Sequence, residues 1–153
     1  MSPRAELLLM NASRAQLVHE TIQPALKRGD IVLCDRFYDS TVAYQGAGRG
    51  LDEAAIQAVI QFAVGKTIPD LTLLLHVPVD VSEARRKARM HETGVQADRF
   101  EALDRAFFER VERRFLQLAA ENPNRFVIID ATASIEAVET QIWRCVSGRL
   151  ARE

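Results

Sequence analysis

Residues 35–50 read DRFYDSTVAYQGAGRG and follow the short apolar run DIVLC almost without a break. An Asp-Arg pair at the mouth of a buried strand, followed by Tyr44, Gln45 and three glycines, admits two readings. One is a phosphate site. The other is a polar loop in which Asp35 and Arg36 form a helix cap or a surface ion pair. The glycines alone do not decide: Gly46, Gly48 and Gly50 miss the G-x-G-x-x-G spacing because position 51 is Leu, and they fit a turn equally well. Gly65-Lys66-Thr67 has the ending of a P-loop, but that motif needs a glycine five residues earlier and position 60 is Ile. Gly65 is therefore read as a helix C-cap. A second basic group, Arg85, Arg86, Arg89 and Arg99, flanks HETGVQA. It fits a solvated helix face, or a mobile lid at about residues 89–99 that closes over phosphates.

The elements that must position these residues alternate between helix and strand. Ser2 and Pro3 have the signature of an N-cap and first helical position, predicting a helix to about Arg28 that stops at Gly29. IVLCD at 31–35 reads as a strand buried on both faces, and a loop is expected after it. Helical spacing returns from Leu51 to Ala63, and LTLLLHV at 71–77 reads as a second strand. Asp80 and Glu83 have capping-box spacing for the helix that carries the arginines. A long helix is expected from Asp98 or Arg99 to about Glu121, with Leu103, Phe107, Val111, Phe115 and Leu118 as its apolar stripe. FVIID at 126–130 is the third expected strand, and Ser134 the cap of a last helix. Such alternation predicts an α/β fold with a parallel sheet, which binds ligands at the carboxyl ends of its strands. Asp35 and Arg36 stand at such an end.

The chain has 153 residues, the size of a single domain, with 48% apolar and 27% charged residues. Lys plus Arg number 20 against 21 Asp plus Glu, so no basic excess points to a nucleic acid polymer as partner. A small phosphorylated ligand stays open. Cys34 and Cys145 lack the spacing of a disulfide framework or zinc site and read as reduced core residues. No apolar run approaches ~18 residues and the first residues lack signal-peptide character, so a cytoplasmic protein without membrane contact is expected.

Taken together, ELLLMNASRAQLVHETIQPALKRGDIVLCDRFYDSTVAYQGAGRGLD resembles the middle of bacterial thymidylate kinases, and DRFEALDRAFFERVERRFLQLAAENPNRFVIIDA resembles their stretch from the lid into the last strand. SRAQ, the D-R-x-x-x-S-T-x-A-Y-Q-G run and the later DRFE are specific in combination. The resemblance implies a three-layer, parallel-sheet, P-loop kinase-like fold and phosphoryl transfer from ATP to dTMP, with magnesium accompanying ATP. It implies a homodimer as well. Phosphoryl transfer leaves positioning and charge neutralisation as the protein's work. By the same resemblance, Arg36 grips the nucleotide phosphate, which its forked guanidinium can do in a bidentate way, and Asp35 organises the phosphate and magnesium region. Arg14 of SRAQ hydrogen-bonds the thymine carbonyl, Thr41 faces the ring nitrogen, Tyr44 crowds the sugar's 2′ position, and Gln45 adds a polar contact. Met10 stands where many relatives place a Phe that stacks on the base. Arg85, Arg86, Arg89 and Arg99 become lid residues toward ATP, with Arg89 and Arg99 as catalytic candidates.

The resemblance also implies an absence. Family members reach the helix that starts here near Ser2 only after a strand, the P-loop, a helix and a second strand. The expectation is thus an incomplete form of the fold, with a gap between the strands at 31–35 and 71–77. The alternative is a catalytically inactive fragment that serves as a dTMP-binding or dimerisation module.

Overall fold

A computed structural model describes residues 1–93 and 104–151. They form a mixed α/β fold in two compact units, Met1–Pro69 and Asp70–Glu153.

The first unit is helical. Helix α1 (Pro3–Leu17) opens where expected: the Ser2 hydroxyl accepts from the Ala5 amide and Pro3 takes the first turn, where its missing N–H costs nothing. The chain continues through a π-helical turn (Val18–Ile22) into α2 (Gln23–Lys27). Pro24 accounts for that turn. A proline inside a helix removes one N–H and crowds the carbonyl four residues back, so the backbone before it widens to i→i−5 bonding. The helical run ends before Gly29, whose φ of 82° is left-handed. Helix α3 (Tyr38–Thr41), a second π-helical turn (Val42–Gly48) and α4 (Glu53–Val64) complete the unit. Asp52 caps α4 through the Ala55 amide, and Gly65 is its C-cap at φ 58° and ψ −119°, as the sequence suggested. The core gathers Leu7, Val18, Ile22, Val42, Ala43, Ile56 and Ile60.

Two expectations fail in this unit. Residues 31–34 take no strand assignment, and Ile31 and Leu33 are 75% and 95% exposed while Val32 and Cys34 are half-buried. The alternation shows an extended segment packed on one face only. A strand exists through its ladder, and among the described residues no partner strand pairs with this one. The segment expected as a loop after it is instead mostly helical from Tyr38 to Gly48. Val42 and Ala43 are buried there, so packing against α1 and α4 winds a stretch whose glycines suggested a turn.

The second unit holds β1 (Thr72–His76) and β2 (Phe126–Asp130), paired in parallel with Thr72 opposite Phe126 and His76 opposite Asp130. Parallel neighbours need a long crossover. Here it contains α5 (Val79–Thr93) and α6 (Arg105–Glu121), and α7 (Ile135–Leu150) follows β2. Phe107, Val111 and Leu118 of the expected stripe are buried on α6, and Phe115 is half-buried. Leu103 lies outside the described residues. Two boundaries are corrected. Asp104 has extended backbone and caps α6 by accepting from the Phe107 amide at 2.7 Å, so no helix runs through it from residue 98 or 99. Helix α5 already includes Val79, and Asp80 lies in its first turn rather than at its cap. The Ser134 hydroxyl caps α7 as expected. Cys34 and Cys145 are both free and half-buried.

Candidate functional site

In the first unit, Arg14 projects from α1 and ties it to the segment after residue 36. Its Nη1 donates to Asn11 Oδ1 at 2.8 Å and to Thr41 Oγ1 at 3.0 Å, and its Nη2 donates to the Phe37 carbonyl at 3.2 Å. The guanidinium also lies 5.8 Å from the Phe37 ring centre. Asn11 is held in turn, its amide donating to the Leu7 carbonyl one helical turn back. Burial lowers the Arg14 pKa from its ordinary value, opposed by attraction to Cys34 and Asp39. A guanidinium stays charged through any such shift. The result is a fixed, partly desolvated cation with its plane set by three oxygen acceptors.

Arg36 has a φ of 62°, the one described residue other than glycine in the left-handed region. Such a backbone in a side-chain-bearing residue costs on the order of 1 kcal/mol or more and clusters at functional sites. The Cys34 thiol donates to the Arg36 carbonyl at 3.6 Å, which helps hold the turn. Burial pushes that thiol's pKa up, while Arg14 lowers it and Asp35 raises it. The Arg36 guanidinium lies 5.3 Å from the Tyr44 ring centre, a cation–π arrangement that aims both side chains at one region. Asp35 and Arg36 are exposed, Tyr44 is half-buried, and Thr41 is buried. Met10 is exposed on α1. Gln45 is turned inward, its amide donating to the buried Glu6 carboxylate at 2.8 Å.

In the second unit, Arg85 donates to the carbonyls of Ala131 and Thr132, just beyond β2, at 2.9 and 3.4 Å. Arg86 lies 5.5 Å from the Phe108 ring centre, and Arg89 is exposed on the last turns of α5. Arg99 and residues 94–99 of the expected lid lie outside the described residues. Among the described residues no group of three or more His, Cys, Asp or Glu could hold a metal ion. No described helix is long and apolar enough to cross a membrane.

Residues 1–142 match the family described as thymidylate kinase. The chain belongs to the thymidylate kinase family. The thymidylate kinase of Alcanivorax borkumensis is 49% identical over 146 residues, covering 95% of this chain and 68% of that protein. Those of Trichlorobacter lovleyi and Pseudomonas putida W619 are 48% and 47% identical, the alignments covering 97% and 99% of this chain and 71% of each relative.

Sequence reasoning missed the groups that hold the candidate residues of this thymidylate kinase family member in place. Asn11 could have been found, because a polar side chain three residues before Arg14 on a helix shares its face. Glu6 could not. Only the folded chain brings it to Gln45 and Arg49, 39 and 43 residues away.

Proposed function

We propose that this protein is a dTMP kinase, moving the terminal phosphoryl group of ATP to dTMP to give dTDP and ADP. The observation that carries the reading is Arg14, a partly desolvated guanidinium fixed by Asn11, Thr41 and the Phe37 carbonyl. A preset cation of this kind suits a pyrimidine carbonyl, because its orientation is settled before the ligand arrives. Thr41 stands beside it toward the ring nitrogen. Tyr44 crowds the sugar's 2′ carbon, Met10 covers the base, and Arg36 takes the phosphate. Gln45 serves from behind, through Glu6.

Arg85, Arg86, Arg89 and Arg99 form the ATP side, with Arg89 and Arg99 neutralising the charge that spreads over the transferring phosphoryl group. Asp35, exposed beside Arg36, would supply the carboxylate for magnesium bound with the nucleotide phosphates, an ion for which one or two carboxylates suffice. Bound there, the ion would offset phosphate charge. Arg36 positions the acceptor's phosphate and the lid arginines the donor's, and positioning of this kind is the protein's main contribution.

The finer fold belongs to the same proposal: one three-layer domain with a central strand beside residues 31–34, covering Ile31 and Leu33. A homodimer in the cytoplasm completes it. A second reading, a catalytically inactive dTMP-binding or dimerisation module, is favoured by one fact: these 153 residues contain no G-x-x-x-x-G-K-[ST] segment. Titration calorimetry with dTMP, dCMP and dGMP tests the dTMP site that the kinase and a dTMP-binding module both need and a dimerisation module does not. Tighter binding of dTMP by about tenfold or more is expected, since a matched hydrogen-bonding edge discriminates by at least that factor. Equal affinities would overturn the assignment.

A further inference from the structure

Glu6 is buried to 1% exposure, yet it is a carboxylate. It lies on the first turn of α1 and accepts from Gln45 Nε2 at 2.8 Å, from Arg49 Nε at 3.4 Å and from Arg49 Nη2 at 3.1 Å. Replacing a buried ion pair by apolar side chains of similar volume is often neutral or stabilising, so such a pair is weak evidence for stability. The geometry here converges on one residue. The Arg49 amide donates to the Tyr44 carbonyl at 2.9 Å, an i→i−5 bond that closes the π-helical turn Val42–Gly48, and Gln45 follows Tyr44 directly. Gln45 and Arg49, which grip Glu6, are thus each joined to Tyr44, one by a peptide bond and one by a backbone hydrogen bond. At the other end of the same segment, Arg14 holds Thr41 and the Phe37 carbonyl. Two anchors eight residues apart on α1, about 12 Å along its axis, therefore clamp a helical segment with Tyr44 between them.

We infer that Glu6, acting through Gln45 and Arg49, is a positioning residue that sets how far the Tyr44 ring advances toward the sugar, and so controls discrimination between deoxyribose and ribose. The inference rests on the dTMP reading of the site above. A π-helical turn is a fitting place for it. Such turns are rare, occur mostly as single turns within helices and are frequent at functional sites. Steric rejection of a single hydroxyl needs that register, since displacement of the ring by a fraction of an ångström would open room for the 2′ oxygen.

The test uses the full chain and two probes that differ only at that hydroxyl, dTMP and 5-methyluridine 5′-monophosphate. Calorimetry gives the ratio of their dissociation constants. Glu6→Gln keeps the shape but removes the charge opposite Arg49, and the ratio is expected to fall about tenfold, mainly through tighter binding of the ribonucleotide. The swap Glu6→Gln with Gln45→Glu returns a carboxylate to the cluster and restores most of the ratio. Should Glu6→Gln fail to fold, Arg49→Lys, which keeps the charge but loses the fork, gives the same readout and a fall of several-fold. A ratio unchanged in the folded variants, or equal losses for both nucleotides, overturns the inference. Amide resonances of Thr41 and Tyr44, recorded without ligand, shift in Glu6→Gln if the anchor sets the segment's position and stay in place if it does not. Failure of the dTMP reading is visible separately, as a wild-type chain that binds neither probe.

Discussion

At the residue scale, Arg36 combines a strained backbone with an exposed charge, and the two can be separated. Asn tolerates the left-handed region better than most residues. Arg36→Asn is therefore expected to leave the thermal midpoint within a few degrees of wild type while weakening dTMP by about tenfold or more, the loss of a charge-assisted bidentate contact. A large drop in midpoint with unchanged dTMP affinity would show that Arg36 serves the fold alone. Tyr44 offers a second comparison. If its ring crowds the sugar, Tyr44→Phe retains selectivity against the ribonucleotide and Tyr44→Ala loses it, and the reverse order in a calorimetric series would remove that role. Arg14, Arg36, Thr41 and Tyr44 were named from the sequence because they lie in short runs whose order carries the resemblance. The groups behind them were not. Glu6 and Arg49 meet only through tertiary packing, and Gln45 turned out to face inward to the Glu6 carboxylate.

At the element scale, the caps at Ser2 and Ser134 were read from local sequence, because capping is a contact over three residues, whereas the Asp80 cap read the same way failed and the Asp52 cap was not read. The segments that depend on distant partners were harder to read. IVLCD has strand composition but finds no ladder among the described residues, and the glycine-bearing segment after Thr41 is wound by its contact with α1 and α4. Asp104→Ala removes the α6 cap and is expected to cost about 1 kcal/mol in chemical unfolding, with Asp104→Asn close to neutral. The turn after β2 has its own signature. Hydrogen bonds from the Thr132 hydroxyl and amide hold the Asp130 pKa below its ordinary value. A depressed carboxylate contributes stability above its unfolded pKa and loses it as pH falls through the folded one, so this contribution disappears only in the acid range. Thr132→Val removes the hydroxyl bond, and a carboxylate NMR titration should then find Asp130 higher than in wild type. An unchanged midpoint would assign the depression elsewhere.

For the whole molecule, Ile31 and Leu33 in the first unit and Leu75 and Ile128 in the sheet of the second are apolar side chains left open to water. The 153 residues contain no G-x-x-x-x-G-K-[ST] motif, so the polypeptide assayed alone with dTMP, ATP and magnesium is expected to show only background turnover. Turnover near ~10 per second, typical of enzymes, would contradict this. The nucleotide acceptor site makes a separate demand, because every residue assigned to dTMP lies in the Met1–Pro69 unit. The most direct test of the account is thus the dissociation constant of dTMP for wild type and Arg14→Ala, measured by calorimetry on proteins with matching circular dichroism. The account predicts weaker binding in Arg14→Ala by the ~1.5–3 kcal/mol of a hydrogen bond to a charged group, about tenfold or more. Equal dissociation constants in the two proteins would contradict it.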